Sequence, residues 1–110
     1  MQFTTEHHPG YMVVGLAGRL DLAEAPVLRE AVADVVAGGA RRVVLDLGGV
    51  EFMDSSGLGA LIGCLKITRQ AGGDLRITRA GPRVQMVLEL TSMDRVLPSY
   101  ESAEKAFGDD

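Results

Sequence analysis

The apolar positions of the chain change period at one place. Residues 43–47, V-V-L-D-L, form a nearly unbroken aliphatic run of strand length, whereas Leu58, Leu61, Ile62 and Leu65 return at the i, i+3, i+4, i+7 spacing of a helix. A buried strand therefore hands over to an amphipathic helix, with Asp54-Ser55-Ser56-Gly57 at the handover. Asp, Ser and Gly suit a helix N-terminus, because a side-chain oxygen can accept from backbone N–H groups that have no intrahelical partner. Two hydroxyls thus sit at the positive end of a helix dipole. A phosphate on either would meet free N–H donors, with the Asp54 carboxylate opposing part of its charge. A regulatory phosphoserine is chemically reasonable there; the plainer reading is a serine that only caps its helix.

On the N-terminal side, residues 3–6 and 11–17 read as two short strands around His8-Pro9-Gly10, a turn signal, so a hairpin opens the fold. Residues 18–21, G-R-L-D, end the second strand. A helix is expected over about residues 24–37, with Pro26 in the tolerated first turn, Leu28, Ala31, Val32 and Val35 as its buried stripe, and Gly38-Gly39 as its stop. Residues 42–47 follow as the central strand, apolar on both faces except at Asp46, as befits a strand covered on each side. Strand, helix, strand at this crossover length implies parallel pairing. Residues 48–53 read as a loop with Phe52 and Met53 tucked beneath it as apolar anchors.

After the second helix, Gly72-Gly73 is another stop and residues 74–78 another strand. Gly81-Pro82 opens a third helix running to about Thr91, with Val84, Val87, Leu88 and Thr91 facing inward. Residues 95–97, before Pro98, read as a short terminal strand, and 102–107 as a last helix capped by Ser102. Gly108-Asp109-Asp110 reads as a solvated terminus. The whole is one α/β domain over residues 1–110, without repeats or low-complexity linkers.

Rotating the second helix by about 100° per residue sets Ser56, Ala60, Gly63 and Ile67 opposite the side of Leu58, Leu61, Ile62 and Leu65, with Gly59 flanking. That outer face is small and apolar, not charged. Close packing against another helix of the same domain would explain it. A flat docking surface for another protein beside the two hydroxyls would explain it as well, and is favoured because the chain lacks an element to cover the face.

Composition narrows the function. At 110 residues and 46% hydrophobic, the chain can bury one real core and not two. Its formal charge is −4, and the basic residues Arg41, Arg42, Arg76, Arg79 and Arg83 are scattered, which argues against a nucleic-acid partner. Cys64 is the only cysteine, so there is no internal disulfide and no cysteine metal site; it reads as a small hydrophobe. His7 and His8, as neighbours on a strand, point to opposite faces with no third ligand near, so they read as strand-end residues rather than metal ligands or a base. The N-terminal M-Q-F-T-T-E-H-H has no signal-peptide character, and no apolar run reaches the length of a membrane span, so a soluble cytoplasmic protein is expected.

F-M-D-S-S-G-L-G (residues 52–59) after V-V-L-D-L, together with G-R-L-D (18–21), A-P-V-L (25–28), A-G-G-D-L (71–75) and M-D-R-V-L-P (93–98), closely resembles the anti-sigma factor antagonists, the single-domain members of the STAS family. The resemblance covers almost the whole chain. It implies a small mixed sheet of about five strands with helices mainly on one side. It also implies a regulator of transcription, of the kind that serves stress response and sporulation, with no catalysis, cofactor or resident metal of its own. By the same resemblance Ser55 is phosphorylated by a partner anti-sigma factor, an ATP-dependent serine kinase, while Asp54, Ser56 and Gly57 support the site. The dephosphorylated antagonist binds that kinase and releases the sigma factor, and a metal-dependent serine phosphatase resets the cycle. The expected partner-binding residues are Asp21, Leu58, Gly59, Ala60, Gly63 and Ile67, on a monomer or weak dimer that touches neither nucleic acid nor membrane.

The chain departs from the family at Arg19, where an acidic residue is common in the G-x-L-D turn. Two other classes are weighed against this reading. Gly57-Leu58-Gly59 opens a helix after a strand, as phosphate cradles do, but Ile62 stands where the third glycine of the nucleotide fingerprint belongs. Ser55 is not in a G-x-S-x-G elbow, and no histidine is placed to serve it as in a hydrolase. The remaining alternative is a non-phosphorylated STAS module that scaffolds a larger complex, senses a signal or acts on a transporter.

Overall fold

The computed structural model describes residues 1–108; the acidic end at Asp109 and Asp110 lies outside the described residues. Five strands form one sheet in the order β1-β2-β3-β4-β5. β1 (Gln2–His8) and β2 (Tyr11–Leu20) are the opening hairpin, antiparallel, and Gly10 turns it at φ +90°, a conformation that favours glycine. Every later pairing is parallel: β2 with β3 (Arg42–Met53), β3 with β4 (Asp74–Thr78), and β4 with β5 (Ser99–Tyr100). The sheet is mixed, as expected.

The crossovers are α1 (Ala25–Ala37), α2 (Ser55–Gln70) and α3 (Pro82–Leu90). They share one core with one face of the sheet: Val14, Leu16, Val43, Leu45 and Leu47 from the strands meet Leu28, Val32, Leu61, Leu65, Val84 and Leu88 from the helices. On the other face the short α4 (Ala103–Ala106), capped by the Ser102 side chain, ends in Ala106 and Phe107, which cover Val13 and Val44. Helices therefore lie mainly on one side. Because β2 and β3 are parallel, their C-terminal ends and the start of α2 are gathered at one edge of the domain.

Several expected boundaries move, each for a local reason. Residues 48–53 are strand rather than loop. They pair with the far end of β2, Ala17 with Gly49, Gly18 with Val50, Arg19 with Phe52 and Leu20 with Met53, across two register shifts. Gly49 marks a close approach, since a Cβ there would stand 2.8 Å from the Leu16 carbonyl oxygen and the Ala17 Cβ. β2 accordingly continues past residue 17 to Leu20.

Residues 95–97 do not form a strand. A single 3₁₀ turn, Met93–Arg95, follows Ser92 in the left-handed region (φ 59°), and the N–H groups of Val96 and Leu97 both donate to the Met93 carbonyl at 3.0 and 2.8 Å. Leu97 drops into the core, and β5 starts only after Pro98. On α1 the buried stripe is Ala25, Leu28, Val32 and Val36, with Ala31 and Val35 half-buried. Thr91 does not face inward; it is the exposed C-cap of α3, its hydroxyl donating to the Val87 carbonyl at 2.7 Å.

Candidate functional site

Asp54 follows β3 in an extended conformation, and its Oδ1 accepts from the Gly57 N–H at 2.9 Å. Its carbonyl accepts the first helical bond, from the Leu58 N–H at 3.0 Å. Asp54 is therefore the N-cap of α2. Ser55, the first helical residue, is exposed, while Ser56 beside it is half-buried. Gly57 is held tightly from the inner side: a Cβ there would stand 2.2 Å from the Leu20 carbonyl oxygen, so only glycine lets the first turn of α2 lie this close to the end of β2. That contact fixes the height of Ser55 above the strands.

Asp21, one residue beyond β2, is likewise committed to backbone. Its Oδ1 accepts from the N–H groups of Ala23 and Glu24 at 3.2 and 3.3 Å, and its carbonyl accepts from Ala25 N–H at 2.9 Å. The side chain holds the turn that leads into α1 and stays half-buried. Leu22, next along, is one of the most exposed apolar side chains, at 74%.

The face that α2 turns outward differs from the one expected. Gly57, Leu58, Ala60, Leu61, Cys64, Leu65 and Thr68 are buried, and Ile62 is only half-buried. Ala60 has no exposed surface on a helix that packs against α1, so the close-packing explanation holds for that residue and it is not part of a docking surface on the domain as it stands. Leu58 is 8% exposed and presents little more. The outward line is Ser55, Gly59 and Lys66, flanked by half-buried Ile62, Gly63 and Ile67. Gly63 lies under Arg29 of α1, whose Cδ would be 3.0 Å from an added Cβ. The helix is apolar or small almost all round, so its buried side was set by which neighbours it met.

Three residues at this edge, which the sequence does not bring together, form a cluster. Phe52 is not tucked under a loop; Met53 is buried, but Phe52 is half-exposed and carries two guanidinium groups, Arg19 at 4.1 Å and Arg83 at 4.9 Å from its ring centroid. Arg19 reaches the ring because β2 continues and pairs Arg19 with Phe52. Arg83 reaches it from the first turn of α3. The alternation of β2 carried past residue 17 is the one sequence signal that would have brought Arg19 and Phe52 together.

Elsewhere the side chains are quiet. Cys64 is buried, and the loss of water pushes its thiol pKa up to about 12, with only a small opposing pull from Arg29. His8 stacks on Tyr11 with ring centroids 4.9 Å apart and sits 3.3 Å from the Glu6 carboxylate. Among the described residues no group of three or more His, Cys, Asp or Glu is placed to hold a metal ion, and no helix is long and apolar enough to cross a membrane. A groove of about 810 Å³ lies between the hairpin turn and the C-terminal end of α1, at the other end of β3 from Ser55.

A five-stranded mixed sheet with its crossover helices on one face, and a capped helix start at the strand ends, is the architecture of a known class. The STAS domain model matches residues 2–106, and the chain belongs to that family. Within it, the chain is 32% identical to the anti-sigma F factor antagonist of Paenibacillus polymyxa over 110 residues, covering 96% of this chain and 92% of that one. It is also 32% identical to the anti-sigma-B factor antagonist of Bacillus subtilis over 91 residues, 83% of each. Among solved structures, an anti-sigma factor antagonist from Mycobacterium paratuberculosis superposes with a TM-score of 0.85 at 30% identity, covering 98% of this chain and 92% of that one.

Proposed function

We propose that this protein is an anti-sigma factor antagonist: unphosphorylated, it binds an anti-sigma factor that is also a serine kinase, and so releases a sigma factor. The kinase transfers the γ-phosphoryl group of ATP to the Ser55 hydroxyl, ADP leaves, and the complex separates. A metal-dependent serine phosphatase hydrolyses the phosphoserine and restores the binder. The chain is then the substrate of both enzymes and the catalyst of neither. It works in the cytoplasm, on transcription of a sigma-factor regulon of the stress-response or sporulation kind.

One observation carries the reading. The capping duty that would explain a serine at this place is discharged by Asp54, which leaves the Ser55 hydroxyl exposed on the first turn of α2 without a structural task. The named relatives supply the partner class. The contact surface in this proposal is Ser55, Gly59 and the exposed edges of Ile62, Gly63 and Ile67, with Asp21 holding the neighbouring loop and Leu22 standing out from it.

The energetics suffice for a switch. A phosphoserine adds about −1.5 to −2 charges at neutral pH. Burying it at an interface built for a neutral hydroxyl leaves charge without a partner, which costs roughly 3–5 kcal/mol, or about two to three and a half decades of affinity. The test is phosphopeptide mass spectrometry after incubation with ATP and an anti-sigma kinase of the same genome. Phosphate on Ser55, absent from Ser55→Ala, is the expected result, with Ser55→Ala binding the kinase constitutively and Ser55→Asp binding it weakly. An unmodified chain, under conditions where another antagonist is phosphorylated, would favour the scaffold or sensory module instead.

A further inference from the structure

We propose that Arg19 and Arg83 form a clasp for the phosphate of phosphorylated Ser55, so that the modified protein holds its own phosphate between the end of β2 and the start of α3. The proposal rests on Ser55 being the modified residue and adds what the rest of the edge does once it is.

Two guanidinium groups share one aromatic ring, at 4.1 and 4.9 Å from its centroid, although like charges so placed repel. The ring quadrupole gathers them, and at an exposed position its hold is weak. Neither cation is well matched with an anion. The carboxylate beside Arg19 is Asp21, at a loose 3.8 Å, and Asp21 already accepts from two backbone N–H groups. Arg83 makes no ion pair among the described residues. The other acidic groups of the edge are engaged or turned to solvent: Asp54 caps α2, Glu24 faces the N-terminal ammonium at 3.5 Å, and Glu51 is exposed on β3.

Phe52 precedes Ser55 by three residues, so their Cα atoms stand at most about 10 Å apart, a span that a swung-out arginine side chain and a phosphoseryl group can bridge between them. A phosphate monoester offers three oxygens, and the planar guanidinium fork matches two of them at a time. Charge-assisted bonds of that kind are stronger than an exposed cation–π contact, so the arginines leave the ring for the phosphate. Phosphorylation then changes two things together, adding charge at Ser55 and baring the Phe52 ring. Arg19, which stands at the variable position of the G-R-L-D turn, acquires a task of its own.

The test installs phosphoserine at position 55 of the full chain during synthesis, so that no kinase is needed, and follows the second ionisation of the phosphate by ³¹P NMR. Nearby cations favour the dianion and lower its pKa. The wild-type background should titrate at least about half a pH unit, roughly threefold in proton affinity, below the Arg19→Gln/Arg83→Gln double variant, with each single variant between them. Lys66→Gln, which removes one charge further along α2 as each single variant does at its own site, should leave the titration where it is. Equal pKa values for wild type and the double variant, or a shift as large from Lys66→Gln, would overturn the clasp. A kinase that never modifies Ser55 would sink the proposed function and leave this titration to decide the clasp on its own.

Discussion

Gly57 and Gly59 are two residues apart in one helix turn, and they face opposite surroundings. An added Cβ at Gly57 would strike a backbone oxygen of β2 at 2.2 Å, together with Leu20 Cγ and Met53 Cγ at 2.9 Å. One at Gly59 would meet nothing within 4 Å. The inner face of the first turn of α2 is thus fixed by contact with two strand ends, and the outer face, where Ser55 lies, is free of structural duty. The proposed docking and modification surface lies on the side of the turn whose opposite side is held still by the strands.

The comparison is most exposed to Gly57→Ala. A paired strand cannot move its carbonyl aside, so α2 must shift, and we expect a loss of about 3 kcal/mol, read as a lower urea midpoint with an unchanged m-value. A variant as stable as its parent would show that the inner face is not fixed in this way. Asp54→Ala should remove the cap and about 1 kcal/mol, whereas Ser55→Ala should stay within about 0.5 kcal/mol of the parent. Equal losses from the two would return the capping role to the serine.

Gly59→Ala should raise stability by about 0.8 kcal/mol, the usual difference in helix propensity, because nothing obstructs the methyl group. A destabilised variant would mean that the outer face is packed. The smallest effect at neutral pH belongs to Cys64, on the inner face two turns on. Its thiol stays protonated in the folded chain up to about pH 12, while in the unfolded chain it ionises near its ordinary value, so the folded state binds more protons in between. Its contribution to stability is therefore whole below about pH 8.5 and falls as pH rises toward 12. Denaturation midpoints of the parent should drop more steeply than those of Cys64→Ala across that window, and the folded thiol should resist alkylation at pH 8.

Much of the architecture was legible because periodicity and turn chemistry are local. The hairpin at Pro9-Gly10, the early-turn proline of α1, the strand at residues 74–78 and the Ser102 cap all follow from what neighbouring residues can do for one another. Asp54-Ser55-Ser56-Gly57 was legible as a helix start for the same reason. Glycines misled where they serve a distant contact. Gly48-Gly49 has the composition of a loop, yet Gly48 lies under the Arg79 guanidinium, which is held by both oxygens of Asp46 at 2.9 and 2.8 Å, and Gly49 lies against β2.

The helix face of α2 was misread because Ala60, Gly63, Ile62 and Ile67 satisfy an inner or an outer side about equally well. Only the packing of the folded domain buried Ala60 and left Ile62 at the margin. The sequence by itself determined the order of elements, the central strand, the capped start of α2 and the place of Ser55 on it, since each depends on backbone preferences and side chains a few residues apart. The tertiary structure decided how far β2 and β3 run, which side of α2 is free, and that Arg19 and Arg83 meet on the Phe52 ring. Those depend on pairing and packing between segments far apart in the chain, where no local preference chooses among the arrangements.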